Sequence, residues 1–172
     1  MKRGRMIAFS GRPGAGKTTI ARDLAARLGA VYLRIDSIED GLRASALNLT
    51  DLMDGGYAVD RELASDALAM GQIVVVDAVN PDAECRQGWD AVASDANVSI
   101  GWVFLTCSDE AEHHRRIDLR RQNGQRRGAN WEEVRSRMIE PPRENWLTVD
   151  TAEVLAADAV DLVARTYRNS GI

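Results

Sequence analysis

Phe9-Ser10-Gly11-Arg12-Pro13-Gly14-Ala15-Gly16-Lys17-Thr18 matches the phosphate-binding pattern G-x-x-x-x-G-K-S/T, with Gly11, Gly16, Lys17 and Thr18 at the fixed positions. The apolar run Met6-Ile7-Ala8-Phe9 leads in, and Ile20, Leu24 and Leu28 follow at helical spacing. Strand, glycine loop and helix are the setting in which this motif works. Glycines let consecutive N–H groups turn inward and form a concave nest, to which the helix adds its positive end. A triphosphate would meet Lys17 as a point charge, and the Thr18 hydroxyl would coordinate Mg²⁺. Lysine occurs only at Lys2 and Lys17 among 22 basic residues, the others being arginine. A chance match from such a composition should arise in roughly one chain per thousand.

The length of 172 residues suits one domain with a substantial core, expected to span 1–172. A net charge of −4 disfavours a protein built to grip a nucleic-acid backbone. Cys85 and Cys107 have no metal spacing and read as reduced thiols of a cytoplasmic protein. The basic start is followed by only four apolar residues, too few for a signal peptide, and no other apolar run reaches membrane-spanning length. A soluble monomer or homodimer is expected. His113 and His114 are adjacent, hence on different helical faces, and read as solvated or partly packed rather than as a metal pair.

Outside the loop, strands and helices alternate. Strands are predicted over 5–10, 31–35, 73–77, 98–105 and 147–149; helices over 17–28, 36–47, 59–70, 80–94, 108–121, 131–139 and 152–167. Gly55-Gly56 falls in a predicted loop from Asn48 to Gly56. Such alternation implies an α/β fold with a parallel sheet between helices; five strands in the order 2-3-1-4-5 are expected, with a small arginine-rich lid over about 115–137. Ligands then bind at the C-terminal ends of the strands.

Several polar residues fall at that edge. Asp36, after the second strand, could orient or deprotonate an acceptor hydroxyl, although Asp36 and Glu39 also have capping-box spacing. Arg43, two turns on, could face a substrate. Asp77 ends the most hydrophobic strand, where a carboxylate would support Mg²⁺. Asn80 before Pro81 reads as a helix N-cap close to the reacting groups. Of Arg115, Arg116, Arg120, Arg121, Arg126 and Arg127, two are expected to touch nucleotide, because Arg116 and Arg120 share a helical face.

Together, the loop, Asp36, the segment Val74-Val75-Val76-Asp77-Ala78-Val79-Asn80 and the arginine helix His114-Arg115-Arg116-Ile117-Asp118-Leu119-Arg120 resemble the P-loop kinases of the nucleoside-monophosphate-kinase-like fold. Within that fold the chain is most similar to the AAA-domain kinase-like group related to polynucleotide kinase, chloramphenicol phosphotransferase, gluconate kinase and zeta toxins. The resemblance implies that Gly11, Pro13, Gly14, Ala15, Gly16, Lys17, Thr18 and Thr19 hold ATP phosphates. It also implies that Asp36 is the general base, that Thr18 and Asp77 support Mg²⁺, and that Arg116 and Arg120 close over the phosphates. Asp36, Arg43 and Asn80 would face the substrate, and Val149-Asp150-Thr151 falls at the adenine-side loop. The implied activity is transfer of the γ-phosphoryl group of ATP to a hydroxyl of a small molecule. The sequence lacks the substrate signature of gluconate kinase or adenylylsulfate kinase after Asp36. A polynucleotide 5′-hydroxyl kinase, and a nucleotide-binding switch without an acceptor, are the other readings.

Overall fold

The structure, a computed structural model, describes residues 4–47, 49, 51–123 and 128–168. The strands are β1 (Arg5–Ser10), β2 (Val31–Arg34), β3 (Ile73–Asp77), β4 (Ile100–Thr106) and β5 (Leu147–Asp150). They form one sheet in the order β2-β3-β1-β4-β5, every neighbouring pair parallel. The helices are α1 (Lys17–Leu28), α2 (Ile35–Ala44), α3 (Gly55–Ala69), α4 (Ala83–Asp95), α5 (Glu110–Gln122), α6 (Trp131–Ser136) and α7 (Ala156–Arg168). Among the described residues no helix is long and apolar enough to cross a membrane.

The sheet is covered on both faces, so its central strands are apolar throughout. Ile7 and Phe9 of β1 point into a cluster with Leu24 of α1 and Val163 of α7. The alternate residues Met6 and Ala8 join Val76, Ala64 of α3 and Trp89 of α4 on the other side. The ring of Trp102 stacks on Trp146 at 4.5 Å, extending that second layer beyond β4. Parallel register sets Arg34 beside Asp77 and Asp77 beside Phe9, so the ends of β2 and β3 and the start of the glycine loop share one edge.

Several boundaries differ from the sequence reading, each for a local reason. Ile35 is already helical and Arg34 is the N-cap of α2, without a side-chain cap; the capping box expected from Asp36 and Glu39 does not form. Gly55 and Gly56 open α3 rather than a loop. A Cβ on Gly56 would come within 2.8 Å of Glu39 Cγ, so glycine there serves the close packing of α3 on α2. Asn80 does not cap a helix. It takes a left-handed conformation, φ 44°, and α4 starts at Ala83, capped by the Asp82 side chain on the Cys85 N–H. The last helix starts at Ala156, later than the expected 152. Asn48, Arg126 and Arg127, part of the predicted loop and lid, lie outside the described residues.

Candidate functional site

The loop between β1 and α1 is held from behind by backbone and side-chain contacts. Gly11 has φ 136°, and a Cβ there would lie 2.2 Å from Leu105 O, so no side chain fits. Its N–H donates to Val79 O at 3.1 Å, and Ser10 Oγ donates to Asn80 O at 3.0 Å, tying the loop to the segment after β3. Lys17 Nζ turns back on the loop itself and donates to Gly11 O (2.7 Å) and Arg12 O (2.9 Å). Burial drives its pKa down to about 8, opposed by the nearby charge of Asp77.

Asp77 is buried at the end of β3. Its Oδ2 accepts from Tyr32 Oη at 2.8 Å and lies 3.6 Å from Arg34 Nε. Burial and the Asp77 charge together raise the Tyr32 pKa, which keeps that hydroxyl a donor. Arg34 also reaches the other carboxylate of this edge, with Nη2 donating to Asp36 Oδ2 at 2.8 Å. One guanidinium thus spans Asp36 and Asp77, and among the described residues the second Asp36 oxygen has no hydrogen-bond partner.

These groups face a cavity of about 970 Å³. Pro13, Gly14, Lys17 and Thr18 line it from the loop, Asp77 from the sheet, Asp36 and Arg43 from α2, and Arg120 from α5. Tyr57 of α3 closes the far side. Arg43 is ion-paired within α2, 3.0 Å from Glu39 and 3.9 Å from Asp40. Burial lowers the Arg120 pKa while the charge of Asp77 holds it up, the balance expected of a cation aimed inward.

A second cavity of about 330 Å³ adjoins the first, sharing Gly14 and Arg120. Gly16, Thr19, Arg116 and Thr151 line it, with Leu119, Val154 and Leu155 as apolar walls. Arg116 donates to Thr151 Oγ1 (2.8 Å) and Thr151 O (2.9 Å), and its Nε pairs with Glu112. The Thr151 hydroxyl in turn shares its one proton between Thr106 O (2.9 Å) and Ala15 O (3.2 Å). Arg115 is paired to Glu112 at the surface and belongs to neither cavity.

Asn80, also expected at the site, has its side chain spent elsewhere. It is fully buried, its Nδ2 donates to Phe9 O at 2.7 Å, and its Oδ1 accepts from Trp89 Nε1 at 3.0 Å. Both amide groups are used inside the protein, so Asn80 shapes the edge and offers nothing to a substrate. Gly11 and Ala15 support the loop without lining either cavity.

Sequence reasoning missed Arg34, Tyr32, Arg86 and Arg137. Arg137, just past α6, lines the larger cavity, and its charge bears on Lys17. Arg86 is buried, donates to Asn80 O, Pro141 O and Glu140 O, and lies over the Trp146 ring, fixing the return of the chain after α6. Their positions follow from strand register and long-range closure, which local patterns do not encode. Arg34 alone carried a signal: a basic residue two before Asp36, at the end of a short strand.

Donor chemistry at the shared edge fits magnesium. Among the described residues no group of three or more His, Cys, Asp or Glu could form an all-protein cage. The Thr18 hydroxyl and the Asp77 carboxylate instead face the same cavity as the glycine loop, leaving room for phosphate and water oxygens, as this ion prefers.

Solved structures share this architecture over nearly the whole chain. A provisionally assigned kinase from Chloroflexus aurantiacus aligns with TM-score 0.79 and 23% identity, covering 98% of each chain. A gluconokinase from Sinorhizobium meliloti aligns with TM-score 0.65 and 20% identity, over 98% of this chain and 95% of that one. The Mycobacterium tuberculosis APS kinase CysC, solved with AMPPNP and APS, aligns with TM-score 0.66 and 22% identity, over 95% and 97%. At these identities the likeness shows a common fold. No curated protein sequence matches the chain. Residues 6–142, from the first strand through the segment that Arg86 pins, match the family model described as AAA domain, and the chain therefore belongs to the AAA domain family, as a P-loop kinase-like protein.

Proposed function

We propose that the protein transfers the γ-phosphoryl group of Mg·ATP to a hydroxyl of a small-molecule acceptor. The observation that carries this reading is the convergence of Lys17, Thr18, Asp77, Arg120 and Asp36, with one oxygen unengaged, on a single cavity. The triphosphate would lie on the loop from Gly11 to Thr19, with Lys17 swinging from the loop carbonyls to the phosphates. Arg116 and Arg120 would sit over the phosphates, and the nucleobase would occupy the smaller cavity beside Thr151 and Leu155. Thr18 and Asp77 would hold Mg²⁺, which, when bound, screens phosphate charge and supports the leaving oxygen. The acceptor would lie between α2 and Tyr57, with Asp36 and Arg43 facing it. Its oxygen bonds to the γ-phosphorus as the bond to the β,γ-bridging oxygen breaks; the hydroxyl proton passes to Asp36 and ADP leaves.

Arg43 is neutralised by Glu39 and Asp40, so α2 presents mixed charge rather than the basic track that a polynucleotide would need. ADP release from Mg·ATP, followed for wild type and Asp36→Asn with pooled hydroxyl metabolites, tests the reading. Stimulation by a small-molecule pool is expected, with turnover reduced about 100-fold or more in the variant. Stimulation only by a 5′-hydroxyl oligonucleotide would assign a polynucleotide acceptor. Unchanged turnover with every addition, in both proteins, would favour a nucleotide-binding switch.

A further inference from the structure

We infer that His113 of α5 is a positioning residue for the phosphate-binding loop, anchoring the Pro13 carbonyl so that the Gly14 N–H turns toward the bound phosphates. His113 Nε2 lies 2.7 Å from Pro13 O. A carbonyl only accepts, so Nε2 carries the proton. The Pro13–Gly14 peptide is trans, and in a trans peptide C=O and N–H point to opposite sides. Drawing the carbonyl onto the His113 ring therefore turns the Gly14 N–H to the opposite side of that peptide, and Gly14 lines both cavities.

The neighbouring carbonyls show what is particular about this anchor. Gly11 O and Arg12 O are held by Lys17, which must leave them to reach a phosphate. Ala15 O is held by Thr151, itself fixed by Arg116. With Lys17 withdrawn, the Ala15 N–H still closes the turn on Arg12 O at 3.2 Å, and the side chains that hold this turn are His113 on Pro13 O and Thr151 on Ala15 O, the first from α5 and the second fixed by Arg116 of α5. Contact is close: a Cβ on Gly14 would lie 2.9 Å from the His113 ring and 2.7 Å from Ile117 Cδ1. The imidazole has little freedom, being buried and set at 75° to the Trp131 ring with the ring centres 5.4 Å apart. Burial, with the charges of Arg116, Arg12 and Lys17, lowers its pKa, so the ring stays neutral and its single proton is committed to Pro13.

The inference rests on the reading of this loop as a triphosphate site, and calorimetric titration with Mg·AMPPNP separates the two. His113→Gln keeps an N–H donor near the Nε2 position, whereas His113→Phe keeps a flat ring beside Trp131 without a donor. Wild type and His113→Gln are expected to bind within about threefold of each other, and His113→Phe at least about tenfold more weakly. The two variants should melt at similar temperatures without nucleotide. Equal binding by His113→Phe and His113→Gln would overturn the inference alone. Failure of the wild type to bind Mg·AMPPNP would overturn the triphosphate reading, and the inference with it. Should His113→Phe not fold, ¹⁵N NMR of the wild-type imidazole decides. A proton on Nε2, with and without Mg·AMPPNP, is expected; a bare Nε2 would overturn the role.

Discussion

Asp60 brings a carboxylate into the protein core. It is fully buried on α3, and neither oxygen has a hydrogen-bond partner among the described residues. Burial first, and the Asp77 charge second, raise its pKa from 3.8 to about 6. The native state therefore keeps a proton that the unfolded chain releases. Below pH 3.8 both states are protonated and no penalty exists; stability falls as pH rises toward 6 and stays reduced above it. A shift of this size corresponds to about 3 kcal/mol. Urea unfolding should find Asp60→Asn more stable than wild type by about 1–3 kcal/mol at pH 7.5, with the difference vanishing near pH 4. A variant less stable than wild type at pH 7.5 would show that the carboxylate is satisfied in solution.

At the scale of elements, legibility follows how local the cause is. The bounds of β1, α1 and β3 match their sequence patterns, because an apolar run, a glycine loop and a terminating Gly29 each act within a few residues. The starts of α2, α3 and α4 do not, because distant partners set them: Glu39 and Ile35 against Gly56, Phe9 and Trp89 on Asn80. The candidate site divides in the same way. Lys17, Thr18, Asp36 and Asp77 stand out from strand ends and a motif, whereas Arg34 and Arg137 matter through where the chain returns. The short helix α6 shows how a local device can serve a distant group. Asn130 and Glu133 form a reciprocal capping box at its start, and Arg137 follows its last turn. Asn130→Ala should cost this six-residue helix about 1 kcal/mol. Most of that loss is local, so the expected signature is a higher KM for Mg·ATP, as Arg137 loses its placement, with a melting temperature close to wild type. A large drop in melting temperature with unchanged kinetics would show α6 to be structural only.

Across the whole molecule, Arg86 is a side chain that joins separate stretches of the chain. Its guanidinium satisfies carbonyls of Asn80, Glu140 and Pro141 and covers the face of Trp146, so the segment after α6 is fixed to the loop after β3. Arg86→Met fills much of the space but leaves those acceptors without their donor. We expect a loss of about 2–4 kcal/mol in urea unfolding, spread over one cooperative transition. A separate early transition would instead mark the 137–146 segment as an independent unit.

The strand order carries one more consequence, which concerns synthesis. The first strand of the chain lies at the centre of the sheet, bonded to β3 and β4, and not to β2, which follows it. As the chain leaves the ribosome, Met6-Ile7-Ala8-Phe9 has no neighbour until residues 73–77 emerge, and none on its other side until 100–106. The glycine loop is thus made well before Val79 and Leu105, the residues that hold Gly11 in place. Over more than a third of the length of the chain, an apolar strand waits unpaired, exposing in the nascent protein the kind of surface that chaperones cover.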